Sequence, residues 1–85
     1  MFEEKRKIGE FARSGVLSVR GYTIVTPTFM PDGTRGAVKS LTPDMVKSTG
    51  VQVVLANTYH LHMQPGEDTV AALGGLHAFT NQTLP

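Results

Sequence analysis

Apolar residues along this chain fall into short clusters separated by glycine and proline, and the clusters change period as the chain proceeds. Val16, Ser18 and Arg20 alternate imperfectly with Leu17 and Val19, Arg20-Gly21 offers a tight turn, and Tyr22–Thr26 is rich in β-branched residues. That pattern predicts a β-hairpin. Pro27 cannot donate to a ladder and starts a new extended piece, so Thr28-Phe29-Met30 reads as a short buried strand before the turn Pro31-Asp32-Gly33. Thr42 suits an N-cap, Pro43 the first helical position, Asp44 the positive end and Gly50 the stop, which predicts a helix from Pro43 to Thr49. Val51 to Leu55 then reads as a second buried strand running into a polar-aromatic loop, Ala56 to Gln64. Pro65-Gly66-Glu67-Asp68 opens another helix carrying Val70, Ala71 and Leu73, ended by Gly74 and Gly75. Beyond it, Leu76 and Phe79 are anchors ahead of a polar run. The charged start, Met1 to Ser14, has only Phe2, Ile8 and Phe11 as apolar positions and fits either an irregular strand or a frayed helical turn.

The order after the hairpin is strand, helix, strand, helix, and a parallel βαβ unit with one right-handed crossover is the economical α/β arrangement. Two such strands cannot make a sheet covered on both faces, so the apolar run Val51 to Leu55 is expected to lack partners. The sequence reads as part of a larger fold.

Composition narrows the class without naming a function. Eighty-five residues allow one small domain with little reserve stability, and 40% apolar with 18% charged residues is ordinary for a folded protein. The formal charge of +1 advertises no nucleic-acid field, although five of the eight basic residues lie in the first 20. The absence of cysteine excludes a disulfide framework and a thiolate metal site and points to a reducing, cytoplasmic setting. No apolar run approaches the roughly 20 residues that span a bilayer.

The chemistry-bearing residues cluster at the end of the second expected strand. Asn57 offers a donor and an acceptor there, and Thr58 and Tyr59 add hydroxyls, which suits support of a carboxylate or base as well as simple strand-end capping. His60, His62 and His77 raise the question of a metal site; His-x-His shares a metal only on a strand, no carboxylate lies nearby in sequence to complete the shell, and packing or surface hydrogen bonding accounts for the three rings. The loop Gly33 to Ser40 has glycines followed by Lys39-Ser40, yet Val38 stands where a phosphate-wrapping loop needs glycine. No nucleophile with an adjacent base is present, so no catalytic set is assigned.

The spelling adds a family resemblance. Thr26-Pro27-Thr28-Phe29-Met30-Pro31, Gly33-Thr34 with Val38-Lys39, Leu41-Thr42-Pro43, Asn57-Thr58-Tyr59-His60-Leu61, Pro65-Gly66 and Gly74-Gly75-Leu76-His77 together resemble the amino-terminal region of the tRNA-guanine transglycosylases, also called queuine tRNA-ribosyltransferases. The resemblance implies a hairpin element over residues 1–26 and the first units of a (β/α)8 barrel over 27–85, an incomplete portion of one catalytic domain. It implies an enzyme that exchanges guanine at the anticodon wobble position of certain tRNAs for queuine or a 7-deazaguanine precursor. Its partners would be tRNA, the base and a second copy of the enzyme, without a membrane. In such enzymes an aspartate nucleophile forms a covalent ribosyl intermediate, a second aspartate moves protons, and three cysteines and a histidine hold a structural zinc. The match places none of these in this chain, and the motif Thr-Asp-Ser-Gly-Gly would follow directly on Leu84-Pro85. Asn57 would lie beside the base pocket, and Thr34, Lys39, His60 and Leu61 toward the homodimer interface. Asp32, Gln64 and Thr80-Asn81-Gln82 depart from the usual Val, Arg and Met-Gly-Trp.

Three readings follow: the amino-terminal part of a transglycosylase, inactive alone; a non-catalytic dimer-forming partner of such an enzyme; and an unrelated small metal-binding or structural domain. The preferred base and the tRNA set are not written in these residues.

Overall fold

The computed structural model describes all residues, Met1–Pro85, as a three-stranded antiparallel sheet followed by four short helices. Strands β1 (Phe2–Ile8), β2 (Ala12–Val19) and β3 (Tyr22–Thr26) lie in the order β1-β2-β3. The expected hairpin is β2–β3, with Val19 opposite Tyr22 and Leu17 opposite Ile24. Its two turn residues, Arg20 and Gly21, have φ of 49° and 84°, the paired positive values that match the right-handed twist of the strands they join.

The charged start resolves into β1. It pairs with β2 from Phe2↔Leu17 to Ile8↔Ala12, with an irregularity between Glu4 and Arg6, and the Met1 ammonium adds a bond to the Ser18 carbonyl at 2.6 Å. The Phe2 ring folds over Gly15, where a Cβ would stand 2.5 Å from it, and so covers a backbone that no larger residue could expose to it. Every residue of β1 is exposed, which is why no alternation marks it in the sequence.

Thr28-Phe29-Met30 is not a strand, contrary to expectation, and Phe29 remains 73% exposed. The pairing occurs three residues later. Asp32 and Leu55 form one parallel bridge, in which the Gly33 amide donates to the Leu55 carbonyl at 2.7 Å and the Leu55 amide to the Pro31 carbonyl at 3.0 Å. On the other edge the Val54 amide donates to the Pro85 carbonyl at 2.9 Å. Val51 to Leu55, expected as a full strand, is therefore an extended segment held at its end from both sides. Parallel order is present, but two or three groups in line do not make a cooperative ladder.

Helix α1 (Pro43–Ser48) supplies the crossover, with Thr42 as N-cap accepting from the Met45 amide at 3.2 Å, Pro43 in the first turn and Gly50 just past the end. Its Val46 is 2% exposed, the most enclosed side chain of the chain. Helix α2 (Thr58–Met63) occupies what was expected to be a loop. Helix α3 (Glu67–Ala72) is the expected second helix, and α4 (Leu76–Thr80) was not foreseen.

The interior is small: Ile24, Val46 and Leu61 are the buried hydrophobic residues. The chain exposes 6516 Å², roughly a third more than the about 4,900 Å² of a compact monomer of this mass. Its radius of gyration is 15.0 Å against about 12 Å for a compact chain of this length, because the sheet extends as an arm along a molecule 46 Å long.

Candidate functional site

Of the residues singled out by sequence, Asn57 comes two residues after Leu55, where the extended segment ends, and the others follow on α2 and α4 or lie on the loop after the Asp32 bridge. Asn57 opens α2: its backbone carbonyl accepts from the Leu61 amide at 3.1 Å and its side-chain Oδ1 from the His60 amide at 3.3 Å. The amide nitrogen of this cap stays free to donate, because capping uses only the oxygen. Capping of a helix, rather than of a strand end, is the local role of Asn57.

Helical geometry then spreads the histidines. His60 sits edge-on to the Tyr59 ring at 5.4 Å, whereas His62 points along the helix to Glu67 of α3, with Nδ1 2.6 Å from Oε2. The Glu67 carboxyl is held below its ordinary range, first by a backbone hydrogen bond and then by the bond from His62. His77 on α4 lies 2.9 Å from the Leu84 carbonyl through Nε2; a carbonyl only accepts, so Nε2 carries the hydrogen. The other side of that ring stacks near Tyr22 of β3, 6.2 Å between centroids and 9° apart in plane. Each imidazole has its own partner, and no three histidine or carboxylate side chains converge on one point.

Thr34 and Lys39 share an open cleft of about 810 Å³ with Asp32, Arg35, Ser40 and Met45. His60 lines a neighbouring cleft of about 440 Å³ with Met63, Gln64 and Phe79, and Arg35 borders both. Leu61 lines neither of these clefts. It is 9% exposed and lines an apolar hollow with Val70 and Ala71. Thus Thr34, Lys39 and His60 fall on adjoining clefts, Leu61 underpins the helix that carries His60, and Asn57 lines none of them.

Two residues outside the expected set matter to this geometry. Gln52 spans to β3 with its side-chain amide, and Gly36, at φ 76°, lies under the Phe79 ring. Gln52 stands out in sequence only as the one polar residue in an apolar run, and Gly36 only as a glycine in a loop.

The chain thus combines an antiparallel arm, one parallel bridge at Leu55 and, just beyond it, the helix α2 capped by Asn57. The family model described as queuine tRNA-ribosyltransferase matches residues 8–85. The chain belongs to that family. It is 57% identical over 79 residues to a queuine tRNA-ribosyltransferase of Sorangium cellulosum, covering 93% of this chain and 20% of that relative. With the enzyme of the same name from Thermosynechococcus vestitus it shares 55% over 74 residues, 87% of this chain and 20% of the relative. It therefore spans about a fifth of the length of the curated relatives it matches. No helix is long and apolar enough to cross a membrane.

Proposed function

We propose that this chain is part of a transglycosylase that exchanges guanine at the wobble position of tRNA anticodons for queuine or a 7-deazaguanine precursor. The observation that carries the reading is the family match over residues 8–85, which includes the whole segment from the Leu55 bridge through the Asn57 cap. In this reading residues 1–26 form the hairpin element and 27–85 the first barrel units. The parallel contacts of Leu55 with Pro31 and Gly33 are the arrangement that barrel strands would extend, and Val54 bonds to the Pro85 carbonyl on its other edge.

Asn57 then stands beside the base pocket, with Oδ1 committed to its helix and Nδ2 available to orient a catalytic carboxylate. Thr34, Lys39 and His60 contribute to a homodimer surface on the two adjoining clefts, and Leu61 holds α2 in place behind them. The structural zinc of the complete enzyme is held by residues outside this chain. The working enzyme is cytoplasmic, and the 85 residues alone do not turn over, since covalent ribosyl transfer needs a nucleophile and a proton-transfer group.

The test uses labelled guanine and tRNA with two proteins. The purified chain is expected to give no incorporation above a blank. A chimera in which it replaces the matching segment of the Sorangium cellulosum relative is expected to incorporate label. A chimera that melts like the parent relative but incorporates nothing would overturn the reading.

A further inference from the structure

The sheet stops at β3, which has no fourth strand on its outer side. Outward and inward backbone groups alternate along such an edge, and the register places Thr23 and Val25 outward. One side chain takes both groups of Val25. The Val25 amide donates to Gln52 Oε1 at 2.8 Å, and Gln52 Nε2 donates to the Val25 carbonyl at 2.9 Å. The second Nε2 hydrogen reaches Thr28 Oγ1 at 3.0 Å.

A primary amide offers the same donor and acceptor as a peptide group, so Gln52 reproduces one rung of a ladder without a strand. The geometry points to Gln52 as an edge lock, a single side chain that closes the free edge of β3 and fastens the arm to the α/β half of the chain. No other hydrogen bond joins residues 1–26 to residues 27–85. The amide orientation is determined by its partners: exchanging nitrogen and oxygen would set donor against the Val25 amide and acceptor against its carbonyl. Pro27, two residues past Val25, has no amide to offer, so the lock engages the central outward position of a short edge. Gln52 is also three residues from Leu55, so the lock sets the arm relative to the segment that leads to Asn57.

Only glutamine satisfies all three bonds. Glutamate at this position has the same length and still accepts from the Val25 amide, but it turns a carboxylate oxygen on the Val25 carbonyl. Asparagine is one methylene too short.

Residue-resolved amide exchange of the full 85-residue chain tests the lock. In the unmodified chain the Val25 amide should exchange about tenfold or more slowly than that of Thr23, the other outward position of β3. In Gln52→Glu the Val25 rate should rise to that of Thr23 while the inward amides of Tyr22 and Ile24 keep their protection. Equal rates at Val25 and Thr23 in the unmodified chain would overturn the assignment, as would undiminished protection of Val25 in Gln52→Glu. Should the variant lose the sheet altogether, shown by Ile24 losing protection too, the comparison within the unmodified chain decides alone.

Discussion

Gly36 lies directly beneath the edge of the Phe79 ring: a Cβ on Gly36 would stand 2.9 Å from Phe79 Cε2. Gly36 also has φ of 76°, so an alanine there meets a backbone conformation it disfavours and a ring that must move. The contact joins the loop bearing Thr34 and Lys39 to α4, two segments whose sequences carry no sign of each other.

Gly36→Ala is accordingly expected to destabilise the chain by about 1–3 kcal/mol, read from denaturant midpoints. Shortening the ring with Phe79→Leu should recover part of that loss, because the steric share disappears while the backbone share remains. Strictly additive losses in the double variant would mean that the two residues do not oppose one another.

The Asn57 cap separates a structural from a chemical role. Asn57→Ala removes the acceptor for the His60 amide and should cost about 1 kcal/mol, whereas Asn57→Asp retains the acceptor and should leave the melt nearly unchanged. In the active chimera both variants should lose exchange rate, because neither keeps the amide nitrogen. An Asn57→Asp chimera with unaltered kcat would confine Asn57 to capping.

Glu67 sets a pH dependence with a definite sign. Its folded-state carboxyl titrates below the ordinary value of 4.5, so the stabilisation is in place above that value and fades as pH falls through the folded-state value. The difference in stability between the unmodified chain and Glu67→Gln should shrink as pH falls from about 5 through the folded-state value of the carboxyl. A difference that grows as pH falls below about 5 would reverse the assignment.

A chain with three buried hydrophobic residues and Phe29, Met30, Leu41 and Met45 all exposed has apolar surface to cover. Sedimentation over a concentration series should show association, and the thermal melt should be broad and concentration-dependent. A monomer with a sharp melt independent of concentration would show that the small interior suffices.

What the sequence by itself determined are the features whose chemistry is local. Thr42, Pro43 and Gly50 mark both ends of α1, Glu67-Asp68 and Gly74 bracket α3, and Arg20-Gly21 joins β2 to β3. The string of family residues likewise needs no structure to be read. Helix α2 was not legible: Asn57 read as a strand-end cap or as support for a carboxylate, and the residues after it as a polar-aromatic loop. Leu61, the buried residue of that helix, gives it an apolar anchor. Strand β1, fully exposed, exists only because β2 offers it an edge, and α4 forms where Phe79 finds Gly36. Thr28 to Met30 had the composition of a strand but no edge to pair with, so the parallel contact formed at Pro31 to Gly33 instead. The bond from Gln52 to Val25 spans 27 residues, and nothing in either local sequence announces it. Caps and turns are decided within a few residues; edges, ring contacts and amide locks are decided by which distant backbone happens to be presented, and that only the tertiary structure settles.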